Sequence, residues 1–277
     1  MMVIGVESVE KMIDDICDFL DIVPEYLKER IVDIADKSAS EEDYSQAFLR
    51  LSEEFISENT GESINEVYFC HLTRSIDKPS VLLPLKTLLT TNNSFTHFLR
   101  EHSVEFEIEK NELVMKYNGN PVPRNRVYDP TSWDNDHARL AGRLGWLGTK
   151  DFCINGFLHA VEPERSTDDY YRYLMNGPEL LQDLDAFFHS RMRDEYCKRS
   201  KYFYAIVKIP LKNIIFDERN DLNIDEDRTS IYLSLCFEFL LSWYEGTRYY
   251  SRLHNEILRL DDYAEVSVDH YIELVND

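Results

Sequence analysis

Apolar residues in the first sixty positions recur at helical spacing. Val9, Met12, Ile13, Ile16, Phe19 and Leu20 form one stripe. Leu27, Ile31 and Ile34 form a second, and Tyr44, Phe48, Leu51 and Phe55 a third. This period predicts three amphipathic helices. Ser40, followed by Glu41, Glu42 and Asp43, reads as the start of the third, with acids near the positive end of the helix dipole. The helical run is expected to stop near Asn59-Thr60-Gly61.

The texture then changes. Glu66 to His71 is β-branched and aromatic, which predicts a buried strand. Residues 80–102 read as irregular helix with Pro84 as a breaker. Val104 to Glu109 alternates strictly, and Lys110-Asn111 separates it from Leu113 to Tyr117, predicting a hairpin with one buried face. Residues 118–130, with Gly119, Pro121, Pro123 and Pro130, read as a long surface loop. A short helix is expected from Asp134 to Leu144, ended by Gly145. Asp151 to Ala160 reads as a strand whose Gly156 marks a bulge or a close backbone approach. Residues 167–198 read as mainly helical, broken at Gly177-Pro178. Tyr202 to Ile209 is a strong strand, with Ile214 to Phe216 a weaker one. Arg228 to Tyr244 reads as an apolar helix, Ser251 to Leu260 as a strand and Asp269 to Val275 as a closing helix.

Strands and helices mix without a regular strand-helix-strand repeat. No glycine-rich loop follows a strand, so neither a dinucleotide-binding Rossmann unit nor a P-loop is supported. The predicted class is α+β: a small helical N-terminal subdomain followed by a mainly antiparallel mixed sheet with inserted helices. The expected domains are an acidic helical subdomain over 1–60 and an α+β, catalytic-like domain over 61–277, with an insert at about 118–200.

Charge sharpens that division. The chain of 277 residues carries 52 Asp+Glu against 30 Lys+Arg, a net charge of −22. Residues 1–60 hold 16 acids and 5 bases, so half of the net charge lies in the first fifth of the chain. Residues 116–150 are locally basic through Lys116, Arg124, Arg126, Arg139, Arg143 and Lys150. The acidic head has two readings. It is a solvated surface that aids solubility, or it is a docking surface for a basic partner or a cover over a basic site. Net acidity argues against nonspecific binding to polyanions, while the basic middle leaves a small anionic ligand open.

A mean hydropathy of −0.42 with no long apolar run excludes a transmembrane span. Glu7, Glu10, Asp14 and Asp15 occupy the positions where a signal peptide needs basic and apolar residues. The five cysteines are scattered and show no zinc-ligand spacing, which predicts a reduced, cytoplasmic protein without a structural metal.

Three constellations carry candidate chemistry. His71-Leu72-Thr73-Arg74 leaves a buried strand with an imidazole, a hydroxyl and a guanidinium, a set suited to ribose hydroxyls and phosphate, although a strand-end histidine is commonly structural. Glu256 sits among apolar neighbours in Arg252 to Leu258, where a carboxylate needs either an arginine partner or a function. Arg139 and Arg143 stand four apart on one helical face, as a phosphate or carboxylate site or as surface ion-pair partners. Asp134, Asp136 and His137 would be metal ligands only if they were not capping the helix that follows. Tyr170 to Tyr173 is an aromatic run suited to stacking or to a half-buried helix surface. No Gly-x-Ser-x-Gly elbow supports a hydrolase.

A strand ending in His71-x-Thr73, a late strand with Glu256-Ile257-Leu258 and a Val266-x-Val268-x-x-Tyr271-Ile272 unit together resemble the ADP-ribosyltransferase fold, in its His-Tyr-Glu branch, over roughly residues 64–275. The resemblance implies NAD as substrate. His71 and Thr73 would hold the nicotinamide riboside, Glu256 would stabilise the oxocarbenium-like transition state, and Arg74 would meet the pyrophosphate. The stacking aromatic has no clear match, with Phe157 the first candidate and Tyr170 or Tyr171 the next. The resemblance further implies a bacterial toxin or phage-defence effector acting on a protein or nucleic-acid acceptor. This reading requires His71 and Glu256 to face one cleft from neighbouring strands. The competing expectation is a non-enzymatic acidic interaction or immunity protein that binds a basic partner through its N-terminal helices.

Overall fold

The computed structural model describes residues 4–131, 137–148, 152–160, 177–216, 225–245 and 255–274. The fold is α+β, and the chain divides into two compact units. Unit 1 takes its described residues from Met1–His71, Asn155–Tyr171 and Ile206–Arg259, and unit 2 from Leu72–Ile154, Arg172–Ala205 and Leu260–Asp277.

Unit 1 begins with α1 (Val9–Leu20), α2 (Pro24–Ser38) and α3 (Tyr44–Asn59), each at its predicted stripe. Ser8 caps α1 by accepting from Lys11 N, and Pro24 opens α2 at a position where its missing N–H does no harm. Asp43 rather than Ser40 caps α3, accepting from Gln46 N. The long apolar helix α10 (Asp225–Glu245) packs against α2 and α3, with Phe237 meeting Phe55 at 6.1 Å between ring centroids. The head helices therefore share a core with residues near the C-terminal end, and the acidic segment does not stand as a unit of its own.

The sheet of unit 1 uses the first part of β1 (Glu66–Ser75) and the second part of β7 (Lys201–Pro210), together with β6 (Asn155–Phe157) and β8 (Ile257–Arg259). Their order is β7-β1-β6-β8, and the β1–β6 and β6–β8 pairings are antiparallel. Gly156 is where the sequence asks for a close approach: a Cβ there would sit 1.7 Å from the Phe69 ring and 3.1 Å from the Cys70 carbonyl oxygen. Only glycine lets the β1 side chain lie over β6.

Unit 2 holds β2 (Val81–Leu82), α4 (Leu85–Thr90), α5 (Ser94–Glu101), the hairpin β3 (Val104–Glu109) and β4 (Glu112–Tyr117), and β5 (Asn120–Pro121). The hairpin forms where predicted, with Glu109 opposite Glu112 and with Lys110 and Asn111 both at positive φ as a tight two-residue turn requires. The segment read as a loop carries β5 and the short helix α6 (Arg124–Val127). Then come α7 (Ala138–Arg143), α8 (Glu179–Phe188) and α9 (Met192–Arg199). Phe95, Phe98, Met115, Leu140, Leu184 and Tyr196 are among the side chains that form one buried core there.

The expected closing helix is instead β9 (Val266–Glu273), which pairs antiparallel with β2. Val266, Val268 and the residues after them alternate in exposure, and β-branched and aromatic residues on a half-buried face favour a strand. In unit 2 the order is β2-β9-β7-β1. Among the described residues no helix is long and apolar enough to cross a membrane.

Candidate functional site

The unit boundary runs through the first motif. His71, Phe157 and Glu256 belong to unit 1, and Thr73 and Arg74 to unit 2. Tyr170 and Tyr171 lie outside the described residues.

In unit 1, His71 ends its share of β1 half-buried, and its Nδ1–H donates to the Asn155 carbonyl at 2.6 Å. Burial lowers its pKa, against the opposing pull of that carbonyl. Glu256 is half-buried just before β8, and its carbonyl accepts from Leu158 N at 3.0 Å, extending the β6–β8 ladder by one residue. The strands that carry His71 and Glu256 are not neighbours, because β6 lies between them. The requirement of adjacent strands is therefore not met.

Cys70, Phe157 and Ile257 stand in one cross-strand row. His71 follows Cys70 and Glu256 precedes Ile257, so strand alternation places both on the other side of the sheet from Phe157, roughly 12 Å apart along the backbone. Phe69, Leu158 and Leu258, all at most 2% exposed, share that side. Apolar side chains fill the ground between the two candidate residues. Phe157 is a buried core residue and does not lie beside His71.

In unit 2, Arg74 has a structural task. Its Nη2 donates to the carbonyls of Cys197 at 2.7 Å and Ser200 at 3.2 Å, and its Nε to Ser200 Oγ at 3.0 Å. It satisfies carbonyls left open where α9 ends, and its guanidinium lies over the Tyr202 ring. Thr73 is half-buried.

The basic middle is largely internal to unit 2. Lys116 pairs with Glu107 across the hairpin, and Arg124 with Glu112 at 2.6 Å. Arg143 donates through Nε to Asp183 at 2.9 Å and through Nη1 to Glu179 at 3.0 Å. Burial opposes the charge on Arg143, and the carboxylates of Glu179 and Asp183 outweigh it and hold its pKa up. The two arginines predicted on one helical face thus divide: Arg143 is fixed by two acids of α8, and Arg139 is exposed with no partner among the described residues.

Arg139 lines a cavity of about 650 Å³ whose walls come from the start of α7, from α8 and from the start of α9. Its three carboxylates are all engaged. Asp183 faces Arg143, and Asp194 receives Arg193 through Nε at 3.1 Å and Nη2 at 2.8 Å. Asp185 accepts from Ser190 Oγ at 2.6 Å and from Met192 N and Arg193 N at 2.7 and 3.0 Å. The exposed Arg191 also lines the space, and the His137 Nδ1 at its edge is buried without a partner among the described residues. Spacing alone could not have found this cavity, since its walls are some forty residues apart.

The third feature is the α1–α2 corner of unit 1. Asp14, Asp18 and Asp21 on α1 and Glu25 and Glu29 on α2 are exposed, and no described cation pairs with them. The head's basic residues lie elsewhere: Lys11 pairs with Asp15, Arg30 and Lys37 with Asp33, and Arg50 with Glu54, while Lys28 lies over the Tyr244 ring. Burial, and then the charges of Asp14, Asp18 and Glu25, push the Cys17 thiol up to about 11, so acids from both helices converge on one spot. Between them Val23 is 60% and Tyr26 42% exposed. Among the described residues no group of His, Cys, Asp and Glu could hold a metal ion, and Asp134 and Asp136 lie outside them. No protein-family model matches this chain, and neither a curated protein nor a solved structure is found to be similar to it.

Proposed function

We propose that the chain acts as a binding protein whose α1–α2 corner docks a basic, amphipathic segment of a partner. The observation that carries this reading is the set of five carboxylates, with no cation beside them among the described residues, around exposed Val23 and Tyr26. An apolar centre ringed by one sign of charge suits a partner with an apolar stripe flanked by Lys and Arg. Five free thiols support a reducing, cytoplasmic setting. The test is titration of a fluorescent amphipathic Lys/Leu helix into the protein. Binding should weaken steeply with salt and fall by at least about tenfold in Asp14→Asn/Asp18→Asn/Glu25→Gln. Salt-independent binding, or none, would remove this reading.

ADP-ribosyl transfer from NAD to a macromolecular acceptor is the second reading. What favours it is that strand alternation puts His71 and Glu256 on one side of the unit 1 sheet; what counts against it is that β6 separates their strands. Under it, wild-type protein releases nicotinamide from NAD, and Glu256→Gln stops release without changing the thermal midpoint. Wild-type protein that neither binds NAD nor releases nicotinamide, with a Glu256→Gln variant that is strongly destabilised, would make the carboxylate structural.

A further inference from the structure

We propose that the unit 2 cavity is a binding site for a small phosphorylated molecule, held by Arg139 and Arg191. The argument is one of accounting for charge. A wall containing Asp183, Asp185 and Asp194 suggests at first a site for cations. Each of those carboxylates is already taken: by Arg143, by Ser190 Oγ with two backbone N–H groups, and by Arg193. Asp185 occupies the start of α9, where an anion would otherwise sit. The guanidinium groups outside any hydrogen bond or close ion pair among the described residues are those of Arg139 and Arg191, which are exposed and permanently charged, with Arg191 near enough to Asp194 to act on its charge.

Planar guanidinium forks match oxyanions, and two of them can grip the oxygens of one phosphate. About 650 Å³ is more than a bare ion fills and lies in the range of small-molecule sites. Apolar lining is slight, with Leu140 and Ala186 the apolar side chains, so the remainder of the ligand is polar, as in a sugar phosphate.

The experiment is calorimetric titration of the full chain with ribose 5-phosphate, with ribose and malonate as the other arms. Ribose 5-phosphate should bind and ribose should not. Arg139→Gln and Arg191→Gln should each weaken binding by about tenfold or more, and together abolish it. Both side chains are exposed, so the thermal midpoint of the unliganded variants should match the wild type. Absence of ribose 5-phosphate binding at millimolar concentration would overturn the proposal, as would binding that survives the double substitution. Malonate binding as tightly as ribose 5-phosphate would overturn the assignment to phosphate.

Discussion

The α1–α2 corner and the unit 2 cavity are both rich in carboxylates, and they treat them in opposite ways. At the corner Asp14, Asp18, Asp21, Glu25 and Glu29 face solvent with no described cation beside them. In the cavity wall each carboxylate is matched by a bonded donor, and Arg139 and Arg191 stay outside any ion pair among the described residues. Net charge therefore says little about what either surface attracts. Water screens the corner's acids, so they act mainly on an approaching partner and contribute little to folding. Asp183 has a side chain only 7% exposed and is held by the Arg143 guanidinium.

The most severe way to break this contrast is Arg143→Met. It leaves Asp183 buried and unpaired beside Glu179, and should lower unfolding free energy by about 3–5 kcal/mol in urea titrations. A loss below about 1 kcal/mol would mean that water already reaches Asp183.

Acid offers the next largest effect, located in unit 1. His159 is 4% exposed, stacks on Phe239 at 4.7 Å between centroids, and burial pushes its pKa down to about 4. Its ordinary value is near 6.5, so the unfolded chain takes up a proton that the folded chain refuses. The stability that comes from keeping it neutral is complete above pH ~6.5 and is lost as pH falls towards 4, up to about 3 kcal/mol. His159→Phe should flatten the stability profile between those limits, as read by thermal midpoints across pH.

Smallest of all is the direct effect of removing corner charge. Asp18→Asn with Glu25→Gln should leave unfolding free energy within about 0.5 kcal/mol, while it changes partner affinity. A larger stability change would show that the corner's acids support the fold.

Much of the architecture was legible where a single period dominates. The stripes of α1, α2 and α3 bury one face each, and the 104–117 hairpin is announced by strict alternation around Lys110-Asn111. Gly156 was legible as a close approach, though not that Phe69 is what approaches. The failures occur where the partner is remote. Asp269 to Glu273 reads locally as helix or strand, and its place in β9, between β2 and β7 from far earlier in the chain, decides for strand. Arg74 reads as a free guanidinium until the end of α9, more than 120 residues later, supplies its carbonyls. His71 and Glu256 were read as a pair by order along the chain, and order does not reveal that β6 runs between their strands.

The threading of β1 and β7 through both units has a consequence for synthesis. Each strand begins in one unit and finishes in the other, and each unit draws on three separate stretches of chain. A nascent chain that has reached the end of β7 still lacks α10 and β8 of unit 1 and β9 of unit 2. Unit 1 has all its stretches only once Arg259 is made, and unit 2 needs the stretch that follows, so neither can close while β7 is being made. Until α10 emerges, the apolar faces of α2 and α3 lack their partner, which leaves the incomplete chain dependent on protection from aggregation.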